Sequence, residues 1–374
     1  MRILHLANHA RDTGNGMVNL MVDLACAQAA SGHEVTIAAE ACGFEALLCK
    51  YGVRFAVLPQ RRPWALPRAV RGLRALVREF APDIVHTHMA AGTLVACLAR
   101  LGRARAARYP LVTTMHGEFQ RSNQLMRMGD RVVAVSGAVG GNLRRSGLPA
   151  ERVAVVRNAT LGSPRQAQRP PAPAIELAAP SIVTVSGMYG RKGIFDLVVA
   201  FADVRRAVPG AHLYCVGDGP DRLACAGLAA TLGVADAVHF PGFVADPRPY
   251  LHAADMFVLA SHSDAFPLAL SEAREAGCAV IGTAVGGIPE VLEFGAAGQL
   301  VPVCQPELLA QAMTGLLKNP AALADWRRRA RAGIGWLEVA RMNRDYLEVY
   351  RELLQPSAGA THDAMARRAE AGAK

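Results

Sequence analysis

A chain of 374 residues is too long for one ordinary hydrophobic core, so two domains are expected. Half of its residues are hydrophobic and 19% are charged, which excludes a disordered chain. No run approaches the roughly 18 apolar residues of a membrane-spanning helix. The net charge of +10 is uneven: residues 1–165 carry 22 of the 41 basic and 10 of the 31 acidic residues, a balance of +12 against −2 for the rest. That asymmetry points the first half toward an anionic partner: a membrane surface, nucleic acid or an acidic substrate.

Residues 1–8 read as a buried strand, followed by the loop Asp12-Thr13-Gly14-Asn15-Gly16 and a helix to about Ala30. Gly32 closes that helix, and Glu34–Ala39 reads as a second strand. Further strands are expected at Asp83–Thr87, Leu111–Met115, Val132–Val135 and Val153–Val156. Strands separated by helix-length segments imply a parallel sheet with helices on both faces. The Pro- and Ala-rich stretch 163–180 reads as a linker, after which the rhythm restarts. Strands are then expected at Ser181–Val185, Ala211–Val216, Val238–Phe240, Met256–Leu259 and Ala279–Thr283, with helices to the end. The expected organisation is an α/β chain of two doubly wound domains facing across a cleft. Residues 1–162 form the first domain and 181–340 the second; a C-terminal helix, 341–356, crosses back to the first, and 357–374 are a flexible tail. Ligands of such sheets bind outside the carboxyl ends of the strands.

The eight cysteines, at 26, 42, 49, 97, 215, 225, 278 and 304, form no CxxC pair. That argues against a zinc or redox motif and suits free thiols in a reducing cytosol. The start, MRILHLANHA, has no signal-peptide pattern, so a cytoplasmic protein is expected.

Several loops can carry chemistry. Gly14, Asn15 and Gly16 lie between a strand and a helix, where glycines admit a ligand and helix amides favour anions; a simple tight turn fits equally. The loop is not GxGxxG and no acidic residue ends the second strand as a dinucleotide ribose would need, though Glu40 is close, so a dehydrogenase is disfavoured. Ser186-Gly187-Met188-Tyr189-Gly190-Arg191-Lys192-Gly193 places two cations between glycines, which suits a diphosphate or a solvated turn. Val216-Gly217-Asp218-Gly219-Pro220 is another turn after a strand. His86, His88 and His116 end strands and would approach one another, but no carboxylate accompanies them at ligand spacing, so no metal site is expected. Asp264 and Glu272 lie eight positions apart around Phe266-Pro267, where a helix opens. Arg68, Arg71, Arg74 and Arg78 recur at helical spacing, with Val70, Leu73, Val77 and Phe80 between them and Arg61-Arg62-Pro63-Trp64 before them. This pattern suits an anionic lipid surface or an ordinary solvated face. Nucleic acid is not expected, because no aromatic-interleaved basic motif is present.

In their order along the chain these motifs resemble family 4 of the retaining glycosyltransferases, which have the GT-B architecture of two facing Rossmann-like domains. The resemblance runs over nearly all of residues 1–355. It is carried by the glycine loop, Ser31-Gly32-His33-Glu34-Val35, Asp83-Ile84-Val85-His86-Thr87-His88, Val135-Ser136, Val156-Arg157-Asn158, Arg191-Lys192-Gly193, Val216-Gly217-Asp218-Gly219-Pro220, Ser261 to Gly277, and Val285-Gly286-Gly287-Ile288-Pro289-Glu290. It implies that Lys192 and Arg191 neutralise the diphosphate of a nucleotide-sugar donor, with Met188 standing where the family often has an Arg. It implies that Gly16, with Gly14 and Asn15, meets the phosphates or the reacting sugar, beside Gly187. His116 would contact sugar hydroxyls, Phe243-Val244 would lie against the base, and Glu272 would hold the ribose. The helix start Ala265, Phe266, Pro267 and Leu268 would present its amides to the donor. The family's Glu-x7-Glu pair is Asp264-x7-Glu272 here, one methylene shorter at the first acid, which leaves the sugar open.

The expected activity is retaining, metal-independent, cofactor-free transfer of a hexose-type sugar. The donor would be a UDP-sugar and the acceptor a lipopolysaccharide or lipid-linked saccharide, reached at the inner face of the membrane through the basic first domain. A sugar-nucleotide epimerase and a non-catalytic sugar-nucleotide-binding protein are the alternatives.

Overall fold

The computed structural model of the chain describes residues 1–60, 63–102, 108–117, 121–170 and 173–355. Arg61, Arg62 and the expected tail lie outside the described residues.

The first half is a seven-stranded parallel sheet. In chain order it holds β1 (Arg2–Leu6), α1 (Gly16–Ala30), β2 (Glu34–Ala39), α2 (Glu45–Lys50), β3 (Arg54–Val57), α3 (Leu66–Phe80), β4 (Ile84–Thr87), α4 (Ala90–Arg100), β5 (Leu111–Met115), β6 (Arg131–Ala134), α5 (Gly137–Arg145) and β7 (Val153–Val155). After α6 (Pro164–Gln168) come β8 (Ser181–Val185), α7 (Ile194–Ala207), β9 (His212–Val216), α8 (Arg222–Thr231), β10 (Val238–Gly242), α9 (Arg248–Ala253), β11 (Met256–Leu259), α10 (Leu268–Ala276), β12 (Ala279–Thr283), α11 (Ile288–Val291) and β13 (Gln299–Val301). Helices α12 (Pro306–Leu317), α13 (Pro320–Arg331) and α14 (Val339–Leu354) follow. The strand orders are β3-β2-β1-β4-β5-β6-β7 and β10-β9-β8-β11-β12-β13, with every paired strand parallel.

The central strands are apolar runs because helices cover both faces of each sheet; β1, β4, β5 and β12 are almost wholly buried. Two strands are additions to the sequence reading, β3 and β13. Both sit at sheet edges and are short and half-exposed, so neither carries a strong apolar run.

Two connections hold the halves together. Val339, Met342, Tyr346 and Tyr350 repeat at helical spacing along α14 and pack on Ile3, Leu20, Leu24 and Ile84 of the first domain. The segment expected to be a linker opens with α6, whose cap Ser163 accepts from the Gln166 amide. Asp23 on α1 accepts from the Ser163 hydroxyl at 2.8 Å and from the Arg165 guanidinium at 2.8 Å, and both charged side chains are at most 5% exposed. A buried, fully bonded pair of this kind fixes the chain where composition alone suggested freedom.

Candidate active site

Chain order reverses between β1 and β4 in the first sheet and between β8 and β11 in the second. Crevices at such reversals, beyond the carboxyl ends of the strands, are where α/β folds take ligands. The loops after these strands meet across the cleft.

From the first sheet comes the β1–α1 loop. Asn15 caps α1, its side chain accepting from the Met17 amide at 3.0 Å. Gly14 has φ +69°, and a Cβ there would stand 2.7 Å from the Phe243 ring, so only glycine lets the loop approach the second domain this closely. A Cβ on Gly16 would lie 3.4 Å from Leu268. Arg169 spans the same gap, donating to Asp12 at 2.6 Å and to the carbonyl of Ala245. The loops of Gly14–Gly16, Phe243-Val244 and Leu268 are therefore neighbours. Phe243 remains 52% exposed.

From the second sheet comes the β8–α7 loop with Gly187, Arg191 and Lys192. Gly193 has φ +64°, and a Cβ there would fall 1.9 Å from the carbonyl oxygen of Ala260, so the basic loop lies directly on the end of β11. The His262 amide donates to the Arg191 carbonyl at 2.8 Å. Lys192 donates from Nζ to Asp264 Oδ2 at 2.5 Å, the two side chains being 16% and 11% exposed. A lysine held on a carboxylate in a sparsely hydrated loop is a point charge at a fixed address, ready to share itself with an anionic group.

Ala265, Phe266 and Pro267 follow Asp264. The expectation put Pro267 in the first turn of a helix; it is instead the N-cap, and α10 begins at Leu268. Glu272 sits one turn in and accepts from Gln166 Nε2 at 3.2 Å. Burial pushes its carboxyl up to about 7; Arg165 opposes the rise, while Glu275 and Asp23 add to it.

His116 follows β5, and its Nε2 lies 3.3 Å from His88 Nδ1. The expected gathering of His86, His88 and His116 acquires a fourth member, His5, which pairs with His86 in the β1/β4 register. Nitrogens of His5, His86 and His88 lie within 4.8 Å of one another. Both ring nitrogens of each already have a hydrogen-bond partner, which is a satisfied polar core and not an open ligand set. His5 escaped notice because a lone histidine in an apolar strand carries no motif. Gln166 and Glu290 were also missed as site-shaping groups. Glu290 accepts from the amides of Gly137 and Ala138 at 3.0 and 2.9 Å and from Arg157 Nε at 2.9 Å, joining the second domain to the start of α5 in the first.

Two Rossmann-like sheets, one offering a glycine loop beyond its switch point and the other a lysine–aspartate pair, define a two-domain α/β protein with a cleft between its domains. The family described as Glycosyltransferase Family 4 matches residues 14–160, and Glycosyl transferases group 1 matches residues 179–319. The protein belongs to these glycosyltransferases and has their GT-B fold. It is 29% identical over 67% of its length to a putative colanic acid biosynthesis glycosyltransferase, WcaL, of Escherichia coli, the match spanning 66% of that relative. It is 30% identical over 38% of its length to the lipopolysaccharide core biosynthesis glycosyltransferase LpsE of Rhizobium meliloti, spanning 40% of it. Among solved structures, Anabaena Alr3699/HepE in complex with UDP and glucose superposes with a TM-score of 0.78 at 21% identity, covering 94% of this chain and all of that one. No helix among the described residues is long and apolar enough to cross a membrane.

Proposed function

We propose that this glycosyltransferase moves a hexose-type sugar from a UDP-sugar to a lipopolysaccharide or lipid-linked saccharide, with retention at the anomeric carbon and without a metal or other cofactor. The observation that carries the reading is Lys192, ion-paired with Asp264 beyond the switch point of the second sheet, four residues before the Leu268 that meets Gly16 of the first domain's glycine loop. When the sugar–phosphate bond breaks, negative charge grows on the leaving diphosphate while the sugar becomes oxocarbenium-like. Lys192, with Arg191 beside it in sequence, would neutralise that charge. Retention follows from attack on the face the diphosphate leaves, the departing phosphate taking the acceptor's proton.

Phe243-Val244 would carry the base, Glu272 the ribose, Gly14, Asn15, Gly16 and Gly187 the phosphates, and Asp264 and His116 the sugar. The Anabaena structures hold UDP and UDP-glucose, which supports a uridine donor for this chain. The colanic acid and lipopolysaccharide relatives support the acceptor class. A site at the inner face of the membrane, reached from the cytoplasm, suits such an acceptor and the basic first domain.

Thermal shift against UDP-, GDP-, ADP- and CMP-sugars tests the donor: only UDP-sugars should raise the melting temperature, by an amount that grows with the logarithm of concentration. Equal stabilisation by GDP- or ADP-sugars would overturn the uridine assignment. Epimer formed without acceptor would replace transfer with isomerisation.

A further inference from the structure

Behind His116 runs a continuous chain of hydrogen bonds through the buried centre of the first domain. His116 Nε2 meets His88 Nδ1 at 3.3 Å, and His88 Nε2 meets His5 Nδ1 at 2.9 Å. His5 Nε2 meets Gln28 Oε1 at 2.7 Å. From Gln28 a second branch leaves in the other direction. Its Nε2 donates to the Tyr350 hydroxyl at 3.3 Å, that hydroxyl meets His86 Nδ1 at 2.7 Å, and His86 Nε2 meets Thr114 Oγ1 at 2.6 Å. The Thr114 and Tyr346 hydroxyls, 3.1 Å apart, close the branch and can rotate to suit it. His5, Gln28, His86 and Tyr350 are fully buried and His88 is 2% exposed.

A neutral imidazole donates from one nitrogen and accepts at the other, so the proton positions along such a chain are not independent. Burial keeps these rings neutral, holding His5 and His116 down at about 4 and His86 and His88 well below their ordinary value. Only one member has its two ends chemically distinct. Gln28 faces His5 with an oxygen, which can only accept. His5 must then carry its proton on Nε2 and accept on Nδ1; His88 must donate from Nε2 and accept on Nδ1; His116 must donate from Nε2. The remaining nitrogen, Nδ1 of His116, is left bare.

We propose that Gln28, acting through His5 and His88, fixes His116 as the Nε2-protonated tautomer, so that Nδ1 is a hydrogen-bond acceptor for a sugar hydroxyl. Gln28 is a positioning residue that touches neither donor nor acceptor. Its amide is held by Tyr350 on α14, so the helix that returns from the second domain orients the ring. The consequence for transfer rests on the reading of His116 given above; the tautomer itself does not.

Long-range proton–nitrogen correlation spectra of protein labelled at histidine nitrogens test it directly, since bare and protonated ring nitrogens resonate far apart. The native chain should show His116 protonated on Nε2 alone. Gln28→Glu, which still accepts from His5, should leave that pattern. Gln28→Met, which fills a similar volume and accepts nothing comparable, should give a mixture of tautomers at His116. It should also lower kcat about tenfold with the donor KM unchanged. A native His116 protonated on Nδ1, an unmixed Nε2 tautomer in folded Gln28→Met, or one tightly bound metal ion per chain at His5, His86 and His88 would each overturn the proposal. Should Gln28→Met fail to fold, the native and Gln28→Glu spectra still decide it. The spectra need no donor or acceptor, so a protein that transfers no sugar would still report its tautomer.

Discussion

Asp264 and Lys192 satisfy each other in the free chain, so under the proposed function a donor diphosphate would have to recruit a lysine that already has a partner. The pair holds the ammonium in the cleft and keeps it from collapsing elsewhere. Asp264 is about one methylene shorter than a glutamate would be, a difference that would act on a sugar if one binds there. Glu272 is the acid with the more unusual state. Burial raises its carboxyl from the ordinary 4.5 to about 7 in the free protein. A raised carboxyl contributes stability that is fully present below about 4.5 and is lost as pH climbs through about 7. Ribose hydroxyls donate to a carboxylate, so donor binding draws on the ionised form. UDP-sugar affinity, measured by titration calorimetry with a donor whose diphosphate does not itself titrate near neutral pH, should therefore rise between about pH 6 and about pH 8 and level off above. Glu272→Gln, which cannot ionise, should bind more weakly at the upper pH and show a flat profile. A flat profile in the native protein would remove Glu272 from the ribose site.

At the scale of elements, the central strands were the plainest in the sequence, while two edge strands, β7 and β10, were legible from their valines and two others were not. β1, β4, β5, β8, β11 and β12 are compact apolar runs between turn residues, and hydrophobicity alone marks them. The edge strands β3 and β13 bury too little to leave that mark, and α6 owes its order to Asp23, 140 residues from Ser163 in sequence. Helix α3 is a different lesson, because its amphipathic pattern was legible while its use was not. Ala69, Leu73, Val77 and Phe80 pack into the first domain's own core, so the apolar face is already occupied and cannot insert into lipid. Arg74 donates to the carbonyls of Leu98, Ala99 and Leu101 at the end of α4. Arg68, Arg71 and Arg78 remain exposed, and Trp64 is 74% exposed one turn away. Any membrane contact through α3 would thus be a surface attraction and not an insertion. Each arginine near an anionic surface is worth about 1 kcal/mol, so reversing the three exposed ones should cut vesicle binding on the order of a hundredfold or more. Vesicles rich in anionic lipid should sediment the native chain at low salt and release it at high salt. Failure to sediment at low salt would end the membrane assignment.

Across the whole molecule, the candidate site lies between two surfaces that belong to different sheets, and the motifs on each surface are local in sequence. Glycine loops, the Arg-Lys pair and the acid–Phe–Pro turn advertise themselves because backbone conformation and charge demand those residue types. What joins the surfaces leaves no such trace, since it depends on residues far apart in sequence. Glu290 is the clearest case. Its carboxylate sits at the start of α5, where free amides and the helix dipole favour a negative charge, and Arg157 closes the far side. A Cβ on Gly137 would stand 3.1 Å from that carboxylate, so the glycine makes room for a group from the other domain. The contact is a clasp between domains that must stay aligned for the Gly14–Gly16 loop to meet Phe243 and Leu268. Removing it with Glu290→Ala should cost about 2 kcal/mol of closure, leaving α5 with unpaired amides and Arg157 without its acid. Small-angle scattering should then show a larger radius of gyration in the free variant, reversed by saturating UDP if the nucleotide draws the domains together. Weaker UDP binding by the same factor as the loss of closure is required by linkage, because only the closed form carries the complete site. An unchanged radius together with unchanged UDP affinity would mean that the hydrophobic cluster spanning the two domains, which includes Met115, Val135, Phe266 and Ile288, holds them without the clasp.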